Sequence, residues 1–283
     1  MSQMNRSDAE QNFIIFINGY RGLSLNKYTT NNKLTMEKNQ NNDYSLIEFN
    51  PYLVGYWRVG GKSLDLELKN RFSNPLLLYI DGHHPLKTSN HKNVFKLSFS
   101  FLKSKLFFFL RNGRFIFNWK INQDGFLKRY QNGSMAAENF KEFVQNNSFK
   151  NIKINIVCHS MGYAYALGFI DSLKKSFDFG KMLIISPEGA NYMSTDWNIF
   201  EEAWQYTCKM DWNNGNSWVI YQDGIAPQKL IKDFDKQDPS KFGRVYPPDS
   251  WPKNQRGFNK SHHLNWFGWF YNIKKSDYGY FSE

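Results

Sequence analysis

The stretch from Ile152 to Ile170 constrains this chain more than any other. Ile152, Ile154, Ile156 and Val157 form a short apolar run rich in β-branched residues, which suits a buried strand. After Gly162 the spacing changes. Ala164, Leu167, Phe169 and Ile170, with the small residues Ala166 and Gly168 between them, repeat at the period of a helix packed closely on a sheet. Between strand and helix lies Cys158-His159-Ser160-Met161-Gly162. A turn this short puts its serine at the tip, in strained backbone, and needs small flanking residues so that the two elements can approach. The N–H of Met161 is then aimed at negative charge developing on a substrate oxygen, with help from the positive end of the new helix.

In this context His159-Ser160-Met161-Gly162 resembles the nucleophile elbow of the serine-hydrolase branch of the α/β-hydrolase fold, and of lipases and esterases in particular. The departure is Cys158, where that family usually carries glycine. The resemblance implies an α/β-hydrolase fold. Its central sheet is mainly parallel with helices on both faces, and an insertion separates the oxyanion strand from the elbow. It also implies a triad in the chain order serine, acid, histidine.

Composition limits what such a chain can be. At 283 residues, 41% of them apolar, it can bury a large core, and no Pro-, Gly- or Ser-rich linker divides it. Residues 1–283 are therefore expected to form a single domain. The formal net charge of +11 favours an anionic contact such as a membrane surface or an acidic partner. No recognisable nucleic-acid-binding motif accompanies that charge. Two cysteines, Cys158 and Cys208, do not make a disulfide framework, and Cys158 is expected to be a reduced packing residue. The polar start of the chain lacks the layout of a signal peptide, and no apolar run reaches the roughly 18 residues of a membrane span. Synthesis as a cytoplasmic chain is expected, with export by a signal-independent route left open.

Phe13 to Ile17 reads as a buried strand that runs into Asn18-Gly19-Tyr20. This is similar to the His-Gly loop that supplies the second oxyanion N–H in α/β-hydrolases, with Asn in place of His. By that resemblance the donor is the N–H of Tyr20, and Gly19 lets the backbone approach the substrate. A short helix is expected from Ser63, and a second strand over Pro75–Ile80, ending in Asp81-Gly82-His83-His84. Asp81, His83, His84 and His91 lack metal-ligand spacing, so no metal is expected there.

From Asn93 to Arg129, apolar and aromatic residues interleave with eight basic residues against one acidic residue, Asp124. Segment 94–129 is read either as core filler with snorkelling lysines or as an insertion that serves as a lid or anionic-membrane contact. A helix is expected from Asn132-Gly133-Ser134, capped by Ser134, to about Asn146. Lys181–Ser186 reads as another buried strand, leading into Pro187-Glu188-Gly189-Ala190. Strand alternating with helix indicates parallel pairing. Asp196–Thr207 is expected to be helical, Ser217–Tyr221 a strand, Pro227–Phe234 a helix, and the tail to Arg256 a loop.

Gln222-Asp223-Gly224-Ile225-Ala226-Pro227 is similar to the sequence around the acid of many lipases, so the resemblance gives Asp223 that role; Asp211 and Asp196 end no strong strand. Ser261-His262-His263 precedes an apolar stretch, as the family's catalytic histidine does. His262 is favoured, with His263 as the other choice. The implied activity is hydrolysis of a carboxylic ester, of a lipid or phospholipid given the basic-aromatic segment, through an acyl-enzyme. Ser160 attacks, His262 or His263 carries the proton, Asp223 orients the imidazole, and the N–H groups of Met161 and Tyr20 hold the oxyanion. Such chemistry needs no cofactor. The competing expectation is a non-catalytic protein that binds anionic lipid on a hydrolase scaffold.

Overall fold

A computed structural model of the protein describes residues 11–19, 34–36, 50–72, 75–82, 123–207, 230–252 and 264–283. Within them lie nine strands: β1 (Gln11–Ile17), β2 (Thr35–Met36), β3 (Arg58–Val59), β4 (Lys62–Ser63), β5 (Leu76–Ile80), β6 (Ile152–His159), β7 (Asp178–Ile185), β8 (Glu202–Tyr206) and β9 (Phe242–Val245). The α-helices are α1 (Pro51–Tyr56), α2 (Leu64–Arg71), α3 (Gln123–Asn146) and α4 (Gly162–Leu173). Seven strands form one sheet in the order β2-β5-β1-β6-β7-β8-β9, and β3 and β4 make a separate hairpin. Every pairing from β5 to β9 is parallel, while β2 lies antiparallel on the β5 edge. The protein is thus α/β with a mostly parallel, mixed sheet.

Why these runs become strands follows from burial on both faces. Along β1, Phe13, Ile15 and Ile17 pack on one side with Phe140 and Phe143 of α3 and Leu167 and Ile170 of α4. Ile14 and Phe16 pack on the other side with Leu53 and Trp57 near α1, Leu68 of α2, and Phe267 and Phe270 of a 3-10 segment, Leu264–Asn272. A strand covered on both faces reads as an unbroken apolar run, which is how Phe13–Ile17 of β1, Leu76–Ile80 of β5 and Met182–Ile185 of β7 read, while β6 also carries Lys153 and Asn155. Cys158 sits in the α3–α4 side of the core, and burial pushes its thiol well above the ordinary range.

Several expectations need correction. The helix before the elbow strand starts at Gln123, not at Asn132, so Ser134 is not its cap. Ser134 lies inside α3 and its Oγ donates to the carbonyl of Gly168 in α4 at 3.2 Å. The reason is a close helix crossing. A Cβ on Gly133 would fall 1.9 Å from the Tyr165 carbonyl oxygen, and one on Gly168 would fall 1.8 Å from that of Tyr130. Glycine is required there for contact, not for a helix start. The tail of the 94–129 segment therefore belongs to α3, and Phe126 is in the core; residues 94–122 lie outside the described residues.

The expected helix over Asp196–Thr207 is instead a 3-10 turn, Trp197–Ile199, capped by Asp196, followed by β8. The loop-like tail contains β9. Over 230–234 there is no α-helix, and Asp233 has a left-handed backbone with φ 69°. The expected strand Ser217–Tyr221 lies outside the described residues. Among the described residues no helix is long and apolar enough to cross a membrane.

Candidate functional site

The chain leaves β1 for β5 on one side and leaves β6 for β7 on the other, so the sheet changes direction between β1 and β6. In an open parallel sheet, that is where a crevice opens beyond the carboxyl ends of the strands. Register brings Ile17 level with both Ile80 and Cys158, so Asn18, Asp81 and Ser160 emerge along one edge of the sheet.

Ser160 follows β6 directly and has φ 57°, in the left-handed region that side-chain-bearing residues rarely adopt. Its N–H donates to the Ile185 carbonyl at 2.9 Å, carrying the parallel ladder one residue beyond the strand. Its carbonyl accepts from the N–H of Tyr163 at 3.2 Å, which turns the chain into α4. The sharp strand–turn–helix expected from the sequence is present. Gly162 permits it, because a Cβ there would lie 2.5 Å from the Ile17 carbonyl oxygen.

The Asn18-Gly19 segment lies against this turn. A Cβ on Gly19 would meet Ser160 Cβ at 2.7 Å and the His159 carbonyl oxygen at 2.8 Å. Gly19 donates its N–H to the Tyr56 hydroxyl at 3.2 Å, and that hydroxyl shares a 2.5 Å hydrogen bond with Nδ1 of His159. Tyr56 thereby joins the loop after β1 to the residue before Ser160. On the other side, Asn18 Nδ2 donates to Asp81 Oδ1 at 3.1 Å and to the Gly19 carbonyl at 2.9 Å. The asparagine that stands where the resemblance has histidine is a buried link between the ends of β1 and β5.

The Ser160 hydroxyl itself donates to Glu188 Oε1 at 3.0 Å. Glu188 lies on the turn after β7, and its own N–H donates to the Ser160 carbonyl at 3.1 Å. Ser160 is 3% exposed and Glu188 5%. The sequence singled out Ser160 and Met161, and the structure brings them to the edge beside Gly19. Asp223, His262, His263 and Tyr20, along with His83, His84 and His91, lie outside the described residues. Sequence reasoning passed over Glu188. The sequence shows only an acidic residue between Pro187 and Gly189 at the end of a strand; that this strand lies next to the elbow strand comes from the fold.

Searches of protein-family models, of curated proteins and of solved structures find no match to this chain.

Proposed function

We propose that the protein is a serine hydrolase of the α/β-hydrolase fold, cleaving a carboxylic ester through an acyl-enzyme on Ser160. One observation carries this reading: Ser160 stands in left-handed backbone between β6 and α4, at the switch of a parallel sheet, with Gly19 against it. Holding a non-glycine residue there costs roughly 1–3 kcal/mol, and strain of that kind gathers at functional sites. The N–H of Met161 belongs to the start of α4, where N–H groups lack partners within the helix and the dipole favours negative charge. With the N–H of Tyr20 it makes the oxyanion pair of this proposal, each donor worth about 3 kcal/mol of barrier.

Chain order offers Asp223 and His262 or His263 as partners of Ser160 in a triad. The basic-aromatic stretch before α3 inclines the substrate towards a lipid ester, with an anionic membrane as the surface on which it is met.

A fluorophosphonate probe tests the reading. Labelling mapped to Ser160, lost in Ser160→Ala, is the expected result; a folded protein that is not labelled there would end it. Rates across p-nitrophenyl esters of increasing chain length then define the acyl group. For the lipid part, neutralising Lys103, Lys105, Arg111 and Arg114 together is expected to weaken sedimentation with anionic vesicles. Equal binding to neutral and anionic vesicles would remove that part.

A further inference from the structure

Glu188 touches the proposed nucleophile and has no part in a Ser-Asp-His triad. Two hydrogen bonds of opposite direction fasten it to Ser160: Oγ donates to Oε1 at 3.0 Å, and the Glu188 N–H donates to the Ser160 carbonyl at 3.1 Å. One bond holds the Glu188 backbone on the elbow and the other meets its carboxylate. Its place is fixed by the sheet, because β6 and β7 pair up to His159 and Ile185 and the chain then folds back through Ser186 (φ 44°) and Gly189 (φ 61°). A general base must lie within hydrogen-bond reach of the proton it removes, and Glu188 already holds that proton.

We propose that Glu188 is a catalytic residue that receives the Ser160 proton during attack and passes it to the leaving group. This rests on Ser160 being the nucleophile, and it gives Glu188 the step that the triad expectation assigns to His262 or His263. As the bond from Oγ to the ester carbon forms, the Oγ–H bond breaks, its electron pair stays on Oγ, and the proton moves to Oε1. Collapse of the tetrahedral intermediate breaks the bond to the alcohol oxygen, which leaves with the proton from Glu188. Water repeats the exchange. Its oxygen bonds to the acyl carbon, its proton goes to Glu188, the Oγ–carbon bond breaks, and Oγ takes the proton back. One ester and one water become one acid and one alcohol, and the site returns to its starting state.

The rival role for Glu188 is a brace that holds the turn after β7 on the elbow. Glu188→Gln separates the two, because glutamine keeps the shape and an oxygen that can accept from Ser160 but cannot take its proton. Inactivation by the fluorophosphonate is followed as kinact and KI over pH, alongside a thermal melt. Expected are a fall in kinact of about 100-fold or more, the lower end of what a general base supplies, with KI unchanged within about twofold. The wild-type rate falls on acidification as the carboxylate takes up a proton, and that limb is absent from the variant. A kinact within about threefold of wild type overturns the proposal, and so does a lowered kinact that keeps the same acid limb.

If Glu188→Gln does not fold, Glu188→Asp is measured in its place. A lowered kinact with a displaced acid limb supports the proposal, and wild-type rates with an unchanged limb overturn it. Wild-type protein that is not labelled at Ser160 brings down the hydrolase reading and this assignment with it. That failure appears in a different sample from a failure of Glu188 alone.

Discussion

Strands β6 and β7 are neighbours and end in the same way. Each is followed directly by a serine with positive φ, 57° at Ser160 and 44° at Ser186. Each serine N–H donates at 2.9 Å to the carbonyl at the end of the next strand, Ile185 or Tyr206. Both serines are buried. Beyond that point the two ends part. After Ser160 the chain enters α4 within two residues, the glycine that follows β1 (Gly19) presses on the turn, and the hydroxyl meets a carboxylate. After Ser186 come Pro187 and a turn through Gly189. The left-handed serine is thus a way for this sheet to end a parallel strand, and it is not chemistry in itself. What distinguishes Ser160 is the helix start behind it, the backbone opposite, and the acid on its oxygen.

The sharpest way to break this contrast is to remove each hydroxyl. Ser160→Ala is expected to lower ester turnover by at least about 10⁴-fold, the scale on which triad nucleophiles matter, while Ser186→Ala stays within about threefold of wild type. Comparable losses in both would mean that the two strand ends do not differ in the way argued. A smaller effect is expected from Gly19→Ala. The added methyl has no room beside Ser160 Cβ and the His159 carbonyl, so the loop must shift. Displacement of this kind costs about 100-fold in rate and roughly 1–3 kcal/mol of stability. A urea midpoint and a turnover rate that both match wild type would show that the loop does not press on the elbow. Smallest is Tyr56→Phe, which deletes the hydroxyl between Gly19 and His159. About 1 kcal/mol of stability and up to about tenfold in turnover are the expected losses. No change in either would place the Tyr56 bridge outside the catalytic arrangement.

How far the sequence alone could reach follows from what each segment buries. β1, β5 and β7 were legible because both faces are covered, which gives each at least four apolar residues in a row, and β6 was legible because its β-branched residues outnumber Lys153 and Asn155. β8 was not, because Glu-Ala-Trp-Gln-Tyr carries two polar residues whose partners come from elsewhere: Glu202 pairs with Lys181, and Gln205 accepts from the buried N–H of Ile231. Only the fold provides those partners, and without them the pattern fits a helix equally well. β9 contains Gly243, where a Cβ would lie 2.1 Å from the Tyr278 hydroxyl oxygen, so a tertiary contact again wrote a residue that strand propensity disfavours. The start of α3 was obscured by Gly133, whose purpose is visible only with Tyr165 in place. At the site, the strand–turn–helix around Ser160 is local and could be read, whereas the contact of Gly19 with Ser160 joins residues far apart in the chain. Glu188 could not, because its meeting with Ser160 depends on β7 lying next to β6.

The pairing of β1 also has a temporal side. Its strand partner on the site side is β6, and 142 positions separate Phe13 from its contact Asn155. At synthesis rates of about 5–20 residues per second, roughly 7–28 seconds pass between the emergence of the two strands from a ribosome. For that interval the Phe-Ile-Ile-Phe-Ile run of β1 has at best β5 to lie against, and one side of it stays open to other nascent chains. Long-range parallel pairing is slow to form and prone to aggregation while it waits. Yield of soluble protein should therefore depend on how the growing chain is sheltered, by slower translation at low temperature or by a chaperone that holds apolar segments.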